Sequence, residues 1–456
     1  MHRVAARAWI IFVLALVLIL GLVFFTGEYA ANKTDWGLFP ANPHIFNAGN
    51  LGCGVVADRD GEILLDTRDS WLYAEDPRTR MSTLHWLGDQ YGYISAPALS
   101  KYVPELSGYD WFNGVYNYGS NCGSMQLTIS AKVQIAALEA MGDRKGTIAV
   151  YNYKTGEILC AVTTPTYDPL NKPDVEGDTT GAYTGVYLNR FTQSTYTPGS
   201  IFKLVTTAAA LETVPDILEM KFTCSGVVSY GIDKVTCPRS HGRLDLKGAL
   251  ARSCNCAFAQ IARLVGRDTM TEYVQKYGVT RSVIFDGVTT KAGNYDVTNA
   301  ASVELAWSAI GQHTNQISPC AFMAFMGIIA GGGEAANPYL VSSALCDNLG
   351  YRAEASKYPL KMEAATAKTL ADYMENNTNI MYGQENFSGL TVCAKSGTAE
   401  VGETVENNAL FAGFVRDEEY PLAFIVIAEH SGSGSKVCVP ILSKVLAACV
   451  EAMDKK

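Results

Sequence analysis

The feature that most limits how this chain can fold is an apolar run near its N-terminus, AWIIFVLALVLILGLVFF, at residues 8–25. The run is eighteen residues long, carries no charge, and contains Gly21 as its only break. Such a segment is long enough to cross the hydrocarbon core of a bilayer, where a lone segment must be helical to satisfy its backbone hydrogen bonds. We therefore predict a short tail and a single transmembrane anchor at residues 1–27.

The charges beside this run predict its orientation. Arg3 and Arg7 precede it, and Glu28 follows it. Because positive residues stay on the cytoplasmic side, we expect the N-terminus in the cytoplasm and everything after about residue 28 outside the membrane. A cleaved signal peptide is the alternative, but the apolar core is long for one and no small-x-small cleavage site follows Phe25.

The overall charge argues against nucleic acid as a partner. The chain holds 36 Lys and Arg against 45 Asp and Glu, which gives a formal net charge of −9, and no basic run or stripe is visible. Domains that bind nucleic acid concentrate positive charge on one face or along one helix. We expect an ordinary globular protein after the anchor.

The chain has twelve cysteines, which is many for a domain outside the cytoplasm. Cysteines in that location can form disulfides, and Cys224 with Cys237 is the best local candidate pair. A zinc site built from these two residues with His241 and Cys254 is an alternative. The spacing of the four residues fits no common metal pattern, so we expect no metal there.

Strand-like segments at both ends of the globular part predict one mixed fold. Residues 146–165, GTIAVYNYKTGEILCAVTTP, suggest a β-hairpin, and residues 390–430 contain three further apolar strands. Mostly helical stretches lie between them, residues 125–141 have helical periodicity, and an amphipathic helix closes the chain. We therefore predict an α+β fold in which the two ends form one antiparallel sheet with helices packed on it.

Two stretches place a lysine three residues after a serine. In TPGSIFKL, Ser200 and Lys203 open an apolar run of helical character, and in SGSGSK, Ser433 and Lys436 lie in a Gly/Ser stretch that we expect to be a loop. Residues i and i+3 share one helix face, so Lys203 should stand beside the Ser200 hydroxyl near a helix N-terminus. A simple N-cap role for Ser200 fits the same geometry.

Two more stretches carry hydroxyl, amide and amine groups. In RSCNCAFAQIA, Ser253 is placed to cap or open a helix and is followed by Asn255. In TVCAKSGTAEV, Lys395 lies within a strand, where Gly397 permits the close approach of another backbone. A similar triplet at residues 154–156, Lys-Thr-Gly, lies at the tip of the predicted hairpin and is explained by turn formation.

The ordered triplets at residues 200, 253 and 395 resemble the signature set of penicillin-binding proteins and class A β-lactamases. The surrounding segments PTYDPLN, NRFTQSTYTPGSIFKL and IGQHTNQISP are similar to the transpeptidase domain of penicillin-binding proteins, and the earlier VVADRDGEILLDT resembles the module of the monofunctional class B type. The departures are small, since Ser396 replaces the usual threonine, Cys254 fills the variable middle position, and Ile201 stands where threonine is common.

The resemblance implies a penicillin-binding/serine β-lactamase-like transpeptidase domain at residues 142–456, after a small non-catalytic module at residues 28–141. It also implies peptidoglycan D,D-transpeptidase activity through a serine acyl-enzyme, inhibition by β-lactams, and no metal or organic cofactor. The residues that the resemblance makes catalytic are Ser200 as nucleophile, Lys203 as base, Ser253 as proton relay, Asn255 and Lys395. Those expected to bind substrate are Ser396, Gly397 and Thr398.

Several alternatives share these residues. A D,D-carboxypeptidase or a serine β-lactamase passes the acyl group to water, and a non-catalytic scaffold or sensor does not turn over. We favour the transpeptidase because of the anchor, the preceding module and the complete set of reacting groups. The expected partners are peptidoglycan stem peptides and a multi-spanning glycosyltransferase, since residues 28–141 hold no long helical series for glycan polymerisation. The expected location is the bacterial plasma membrane, with the catalytic part outside.

Overall fold

A computed structural model describes residues 2–37, 46–47, 50–51, 54–68, 70–108, 123–402 and 405–454. Its α-helices are α1 (His2–Gly37), α2 (Pro77–Leu87), α3 (Pro97–Lys101), α4 (Val103–Ser107), α5 (Ala131–Met141), α6 (Arg190–Gln193), α7 (Lys203–Thr213), α8 (Leu246–Ala251), α9 (Asn255–Val265), α10 (Arg267–Tyr277), α11 (Ser302–Ala309), α12 (Pro319–Ala330), α13 (Ala364–Asn377) and α14 (Gly434–Met453). Short 3₁₀ turns span Gly199–Phe202 and Gln384–Phe387, and a π-helical turn spans Thr378–Tyr382.

The strands in the same residues are β1 (Phe46–Asn47), β2 (Asn50–Leu51), β3 (Val55–Ala57), β4 (Ile63–Asp66), β5 (Leu72–Tyr73), β6 (Ser124–Leu127), β7 (Gly146–Asn152), β8 (Ile158–Thr164), β9 (Phe222–Cys224), β10 (Val227–Tyr230), β11 (Asp233–Thr236), β12 (Gly242–Leu244), β13 (Ile284–Phe285), β14 (Val288–Thr289), β15 (Val341–Cys346), β16 (Leu349–Arg352), β17 (Val392–Ala399), β18 (Asn408–Val415) and β19 (Leu422–Ala428).

Helix α1 contains the predicted anchor. Residues 3–32 of this helix are apolar enough to cross a membrane, and none of the side chains in its apolar stretch is buried against the rest of the chain. A long helix whose apolar side chains are exposed on every face is stable only in an apolar surrounding. The helix therefore fits a single-pass membrane anchor.

The central sheet has five antiparallel strands in the order β17-β18-β19-β7-β8. Its hairpin β7–β8 comes from the start of the globular part and the other three strands from its end, as the sequence predicts. One row of the register runs across all five strands and joins Lys395, Ala412, Ile425, Ala149 and Ala161. Strand β17 forms one edge of the sheet, so a functional group on it has one side free for other elements.

Helices cover both faces of this sheet. Ile148 and Val150 of β7 point into a core shared with α5 and α14, whereas Ala149 and Tyr151 point into the core built by the helical middle of the chain. Side chains alternate between the faces of a strand, so burial on both faces explains why β7, β8, β18 and β19 are buried at every residue and mostly apolar. The α+β class predicted from the sequence is confirmed.

A second sheet of six strands, in the order β16-β15-β6-β3-β4-β5, joins early and late parts of the chain. The helical pattern predicted over residues 125–141 is wrong at its start: β6 ends at Leu127, and α5 begins at Ala131. Helix α5 packs on β8 and α14 rather than on the second sheet. The predicted module at residues 28–141 thus shares strands and a helix with the rest of the fold, and its boundary stays a prediction.

The buried carboxylate of Asp286 links the start of β15 to the connection between α3 and α4. It accepts hydrogen bonds from the Tyr102 hydroxyl at 2.8 Å and from the backbone N–H groups of Leu340 and Val341 at 2.7 and 2.9 Å. Hydrogen bonds to a charged acceptor are stronger than neutral ones. This contact fixes β15 in the second sheet next to α3 and α4.

Candidate active site

Ser200 lies on the 3₁₀ turn that leads directly into α7. Its neighbour Gly199 has φ +53°, and a Cβ at this position would lie 2.6 Å from the carbonyl oxygen of Thr398 on β17. A Cβ at Gly397 would likewise lie 2.8 Å from Pro198 O. Only glycine allows two backbones to approach this closely. The close approach predicted at Gly397 is confirmed, and it places the serine turn beside the edge strand.

The side chain of Lys203 contacts three other residues of the site. Its Nζ lies 3.1 Å from Ser200 Oγ, 2.8 Å from the Ser253 carbonyl oxygen, 3.1 Å from Ser253 Oγ and 2.8 Å from Asn255 Oδ1. The i and i+3 positions eclipse each other on a 3₁₀ turn, which is why the serine and the lysine meet. The lysine is fully buried, and burial lowers its pKa to about 7.

Ser253 lies on the short connection between α8 and α9, and Asn255 is the first residue of α9; with Cys254 they form what we call the Ser253–Asn255 connection. The sequence predicts that Ser253 caps or opens α9, and this prediction is wrong by one residue: Cys254 is the N-cap, and its Sγ accepts a hydrogen bond from Ala257 N at 3.4 Å. Ser253 instead has a positive φ of 51°, which turns its hydroxyl into the site. A hydrogen bond fixes the side-chain amide of Asn255, because its Nδ2 donates to Thr236 O at 2.9 Å.

Lys395 reaches the same serine from the edge strand. Its Nζ lies 3.1 Å from Ser253 Oγ and 2.8 Å from Ser396 O, and the side chain is fully buried. Burial, and then repulsion by Lys203, lowers the pKa of Lys395. The structure thus brings together five residues that the sequence analysis singled out, namely Ser200, Lys203, Ser253, Asn255 and Lys395.

The residues after Lys395 run along the open edge of β17. Ser396 is half-buried and Thr398 is exposed, so both are accessible from the free side of the sheet. A contact that the sequence analysis missed involves Tyr382, whose hydroxyl lies 3.0 Å from Ser396 Oγ and accepts a hydrogen bond from Ser396 N at 2.9 Å. Tyr382 ends the π-helical turn after α13, and no local pattern in the sequence points to it.

The second serine-lysine pair has a different environment. Residues 433–436 do not form the expected loop, since Ser433 is the N-cap of α14 and Lys436 lies in its first turn. Ser433 has extended backbone at the N-cap, whereas Ser200 lies within a helical turn, so the two pairs differ in local geometry. Lys436 is also exposed, whereas Lys203 is fully buried.

Four metal-binding side chains converge next to the Ser253–Asn255 connection. The ligand atoms of Cys224, Cys237, His241 and Cys254 all lie within 4.8 Å of one another. Cys224 and Cys237 are both free thiols, so the structure does not contain the disulfide suggested for them. The convergence depends on how β9 to β12 fold back on α9, which the spacing along the sequence does not reveal.

Comparisons with known proteins agree with this geometry. Residues 146–447 match the family model described as "Penicillin binding protein transpeptidase domain". The peptidoglycan D,D-transpeptidase PbpA of Mycolicibacterium smegmatis is 27% identical over 375 residues, which cover 75% of this chain and 74% of the relative.

Solved structures share the fold. Penicillin-binding protein A of M. tuberculosis, as a ceftriaxone acyl-enzyme complex, has a TM-score of 0.75 at 23% identity and covers 87% of this chain and 98% of its own. Penicillin-binding protein PBP2 of Helicobacter pylori, solved in complex with MreC, has a TM-score of 0.61 at 20% identity and covers 72% and 64% of the two chains. Because the family model matches more than half of its residues, the chain belongs to the penicillin-binding proteins, and within them to class B.

Proposed function

We propose that this protein is a peptidoglycan D,D-transpeptidase that cross-links stem peptides through an acyl-enzyme on Ser200 and is inhibited by β-lactams that acylate the same serine. The observation that carries the assignment to Ser200 is its 3.1 Å contact with the buried Lys203. A serine hydroxyl is a weak nucleophile until a neighbouring base takes its proton. A lysine with a pKa of about 7 is partly neutral at physiological pH and meets this need.

In the acylation step, Ser200 Oγ bonds to the carbonyl carbon of the penultimate D-alanine, and the amide bond to the terminal D-alanine breaks. The serine proton passes to Lys203. Ser253 Oγ lies 3.1 Å from both lysines and relays a proton to the leaving amine. The amine of a second stem peptide then attacks the acyl carbon, forms the cross-link and returns the proton to Ser200.

The edge strand β17 supplies the substrate-binding surface. Lys395 provides positive charge near the substrate carboxylate, while Ser396 and Thr398 offer hydroxyl groups from the accessible side. The backbone N–H groups of Ser200 and Thr398 form the oxyanion hole, because Gly199 brings the serine turn against Thr398. Asn255 Oδ1 accepts a hydrogen bond from Lys203 and orients it towards the serine.

We also propose that the chain crosses the bacterial plasma membrane once, with its catalytic part on the outside. The support is the position of Arg3 and Arg7 before the apolar stretch of α1. Protease added to intact spheroplasts should degrade residues 38–456 and leave an epitope fused to the N-terminus untouched. Degradation of the N-terminal epitope with protection of the catalytic part would reverse the orientation.

A membrane-embedded glycosyltransferase is the partner that we propose for this protein. Between α1 and β7 the described segments contain only the short strands β1 to β6 and helices α2 to α5, which gives no large helical unit for polymerising glycan strands. The exposed apolar face of α1 is available for another membrane helix. The H. pylori relative was solved in complex with MreC, so a protein of this fold is able to bind a protein partner.

The activity is tested on the full chain in detergent with a fluorescent penicillin and with a pentapeptide ending in D-Ala-D-Ala. We expect covalent labelling, and D-alanine release that increases when an acceptor amine is present. Release that is independent of the acceptor identifies a carboxypeptidase and overturns the transpeptidase assignment. Absence of labelling in a folded protein overturns the acyl-enzyme itself.

A further inference from the structure

Four side chains able to bind a metal meet beside the Ser253–Asn255 connection. Cys224 ends β9, Cys237 follows β11, His241 precedes β12, and Cys254 is the N-cap of α9. Cys224 and Cys254 are buried, and Cys237 and His241 are half-buried. The active-site chemistry described above uses none of their side chains.

The distances among the ligand atoms match a tetrahedral zinc site. Zinc–sulfur and zinc–nitrogen bonds of about 2.3 and about 2.0 Å place two sulfur atoms about 3.8 Å apart and a sulfur and a nitrogen about 3.5 Å apart. Cys237 Sγ lies 3.9 Å from Cys254 Sγ and 3.4 Å from His241 Nδ1, and Cys224 Sγ lies 3.6 Å from the same nitrogen. These three separations match edges of such a tetrahedron, and the other three pairs of ligand atoms lie within 4.8 Å.

The backbone around the ligands is held in place without a metal. His241 N donates to Cys224 O at 3.2 Å, and β12 pairs with β9, so these two ligands are fixed on adjacent strands. Cys237 N donates to Gly226 O at 2.9 Å, and Cys254 N donates to Ala249 O at 2.9 Å. A site whose ligands are positioned beforehand binds a metal with little further ordering.

Hydrogen bonds also reach two of the ligands. Ala257 N–H donates to Cys254 Sγ at 3.4 Å, an outer contact that orients this ligand. His241 turns Nδ1 inwards, and its Nε2 lies 3.4 Å from Arg239 Nε on the outer side. Metal at Nδ1 leaves the ring proton on Nε2, so the contact with Arg239 opens when the metal binds.

A disulfide explains the arrangement less well. The sulfur atoms of Cys237 and Cys254 are 3.9 Å apart, whereas a disulfide bond is about 2.05 Å long. One disulfide would also leave a third cysteine and His241 Nδ1 in contact with no role. Three thiolates and one imidazole in tetrahedral positions are the ligand set that selects zinc among the common divalent metals.

We propose that Cys224, Cys237, His241 and Cys254 form a structural zinc site that fixes the position of the Ser253–Asn255 connection, a role that we call the clamp. Four protein ligands leave no open position, so the metal holds structure and does not act on substrate. Binding releases the three thiol protons and joins β9, β11, β12 and α9 at one point. This revises the expectation, drawn from ligand spacing and from the family resemblance, that the chain holds no metal.

The clamp affects catalysis because Cys254 lies between Ser253 and Asn255, which both contact Lys203. Ser253 O and Asn255 Oδ1 both lie 2.8 Å from Lys203 Nζ, so the position of Cys254 sets the position of the base. This consequence rests on the proposed function. The four ligands are therefore positioning residues, and removal of the metal should slow acylation by about tenfold to a hundredfold, as for other residues behind a reacting group.

The test uses the full chain, purified in detergent without chelators. We expect about one zinc per chain by elemental analysis, and after exchange with cobalt, the ligand-field and sulfur-to-cobalt charge-transfer bands of a tetrahedral thiolate site. Cys237→Ser and His241→Ala should lose the metal and these bands. Cys346→Ser, on β15 in the second sheet, is the matched control and should keep both.

The outcomes separate the metal site from its effect on the enzyme. A wild-type chain that takes up neither zinc nor cobalt, or that shows a disulfide among Cys224, Cys237 and Cys254, overturns the site. If zinc is bound but its removal by a chelator leaves the rate of penicillin labelling unchanged, the clamp is overturned. Ser200→Ala should still bind zinc fully, so failure of the proposed function would not imitate failure of the metal site.

Discussion

Lys203 and Lys395 reach one hydroxyl from two different elements: the Nζ atom of each lies 3.1 Å from Ser253 Oγ. Both side chains are fully buried, and burial lowers the pKa of each. Two ammonium groups this close to a common atom repel each other, so the pair favours a state in which one lysine is neutral. Lys203 is the one that also contacts Ser200, and this makes it the base.

Replacing that base with a permanent cation should stop the reaction. In Lys203→Arg the positive charge stays but cannot be removed, since arginine is effectively never deprotonated in proteins. We expect penicillin labelling to slow by at least about a hundredfold, the usual size of a general-base contribution. Lys436→Arg, at the second serine-lysine pair, is the matched control and should label at the normal rate. Normal labelling of Lys203→Arg would make Lys203 a structural residue.

The pH dependence of acylation should follow Lys203. Because burial lowers its pKa to about 7, raising the pH through this value increases the neutral, active fraction. Lys395 on β17 also faces Lys203. Burial lowers the pKa of Lys203, and this effect is larger than the opposing effect of three nearby thiols, those of Cys254, Cys237 and Cys256. We expect the second-order rate of penicillin acylation to rise about tenfold per pH unit below pH 7 and to level off above about pH 8. A rate that is flat or falls between pH 6 and 8 is inconsistent with a lysine base.

Tyr382 should position the substrate-binding strand without taking part in the chemistry. Its hydroxyl bonds both the side chain and the backbone N–H of Ser396. In Tyr382→Phe these bonds are lost, and we expect penicillin to bind about fivefold to tenfold more weakly, about 1 to 1.4 kcal/mol, with an unchanged maximal acylation rate. Stopped-flow labelling over a range of penicillin concentrations separates the two quantities. Tyr373→Phe, on α13, is the control, and a lower maximal rate in Tyr382→Phe would give this residue a catalytic role.

The purified protein should make no glycan polymer from lipid-linked precursor alone. The segments described between α1 and β7 contain no large helical unit for that reaction. When a multi-spanning glycosyltransferase is added, we expect polymer, and cross-links that disappear in the Ser200→Ala variant. Polymer made by a preparation free of other synthases would refute the single-function assignment and the partnership inferred from it.

The sequence was most informative where the chemistry is local or the pattern is long. Ser200 and Lys203 are three residues apart and meet because of helical geometry alone. The strands of the central sheet were predicted from their apolar runs. The N-cap of α9 and the start of α14 were misplaced, because Ser253 and the Gly/Ser stretch before Val437 satisfy cap and loop preferences equally well.

Other features depend on contacts between distant segments. The low pKa of Lys203 comes from burial by α9 and β17, which no local pattern contains. Tyr382 reaches Ser396 only because a π-helical turn follows α13. The cysteine and histidine ligands were rejected as a metal site on their spacing along the chain. The fold brings them together through a pair of strands, β10 and β11, inserted between the first two ligands.

The central claim is that Ser200 carries the acyl group, and peptide mapping of the penicillin-labelled full chain tests it most directly. We expect the added mass on the peptide that contains residues 197–204, and none on the protein from the Ser200→Ala variant. Ser433→Ala should label like the wild type, because Lys436 is exposed and lacks the buried setting of Lys203. Label on the peptide with residues 431–436, or undiminished labelling of Ser200→Ala, would contradict the account.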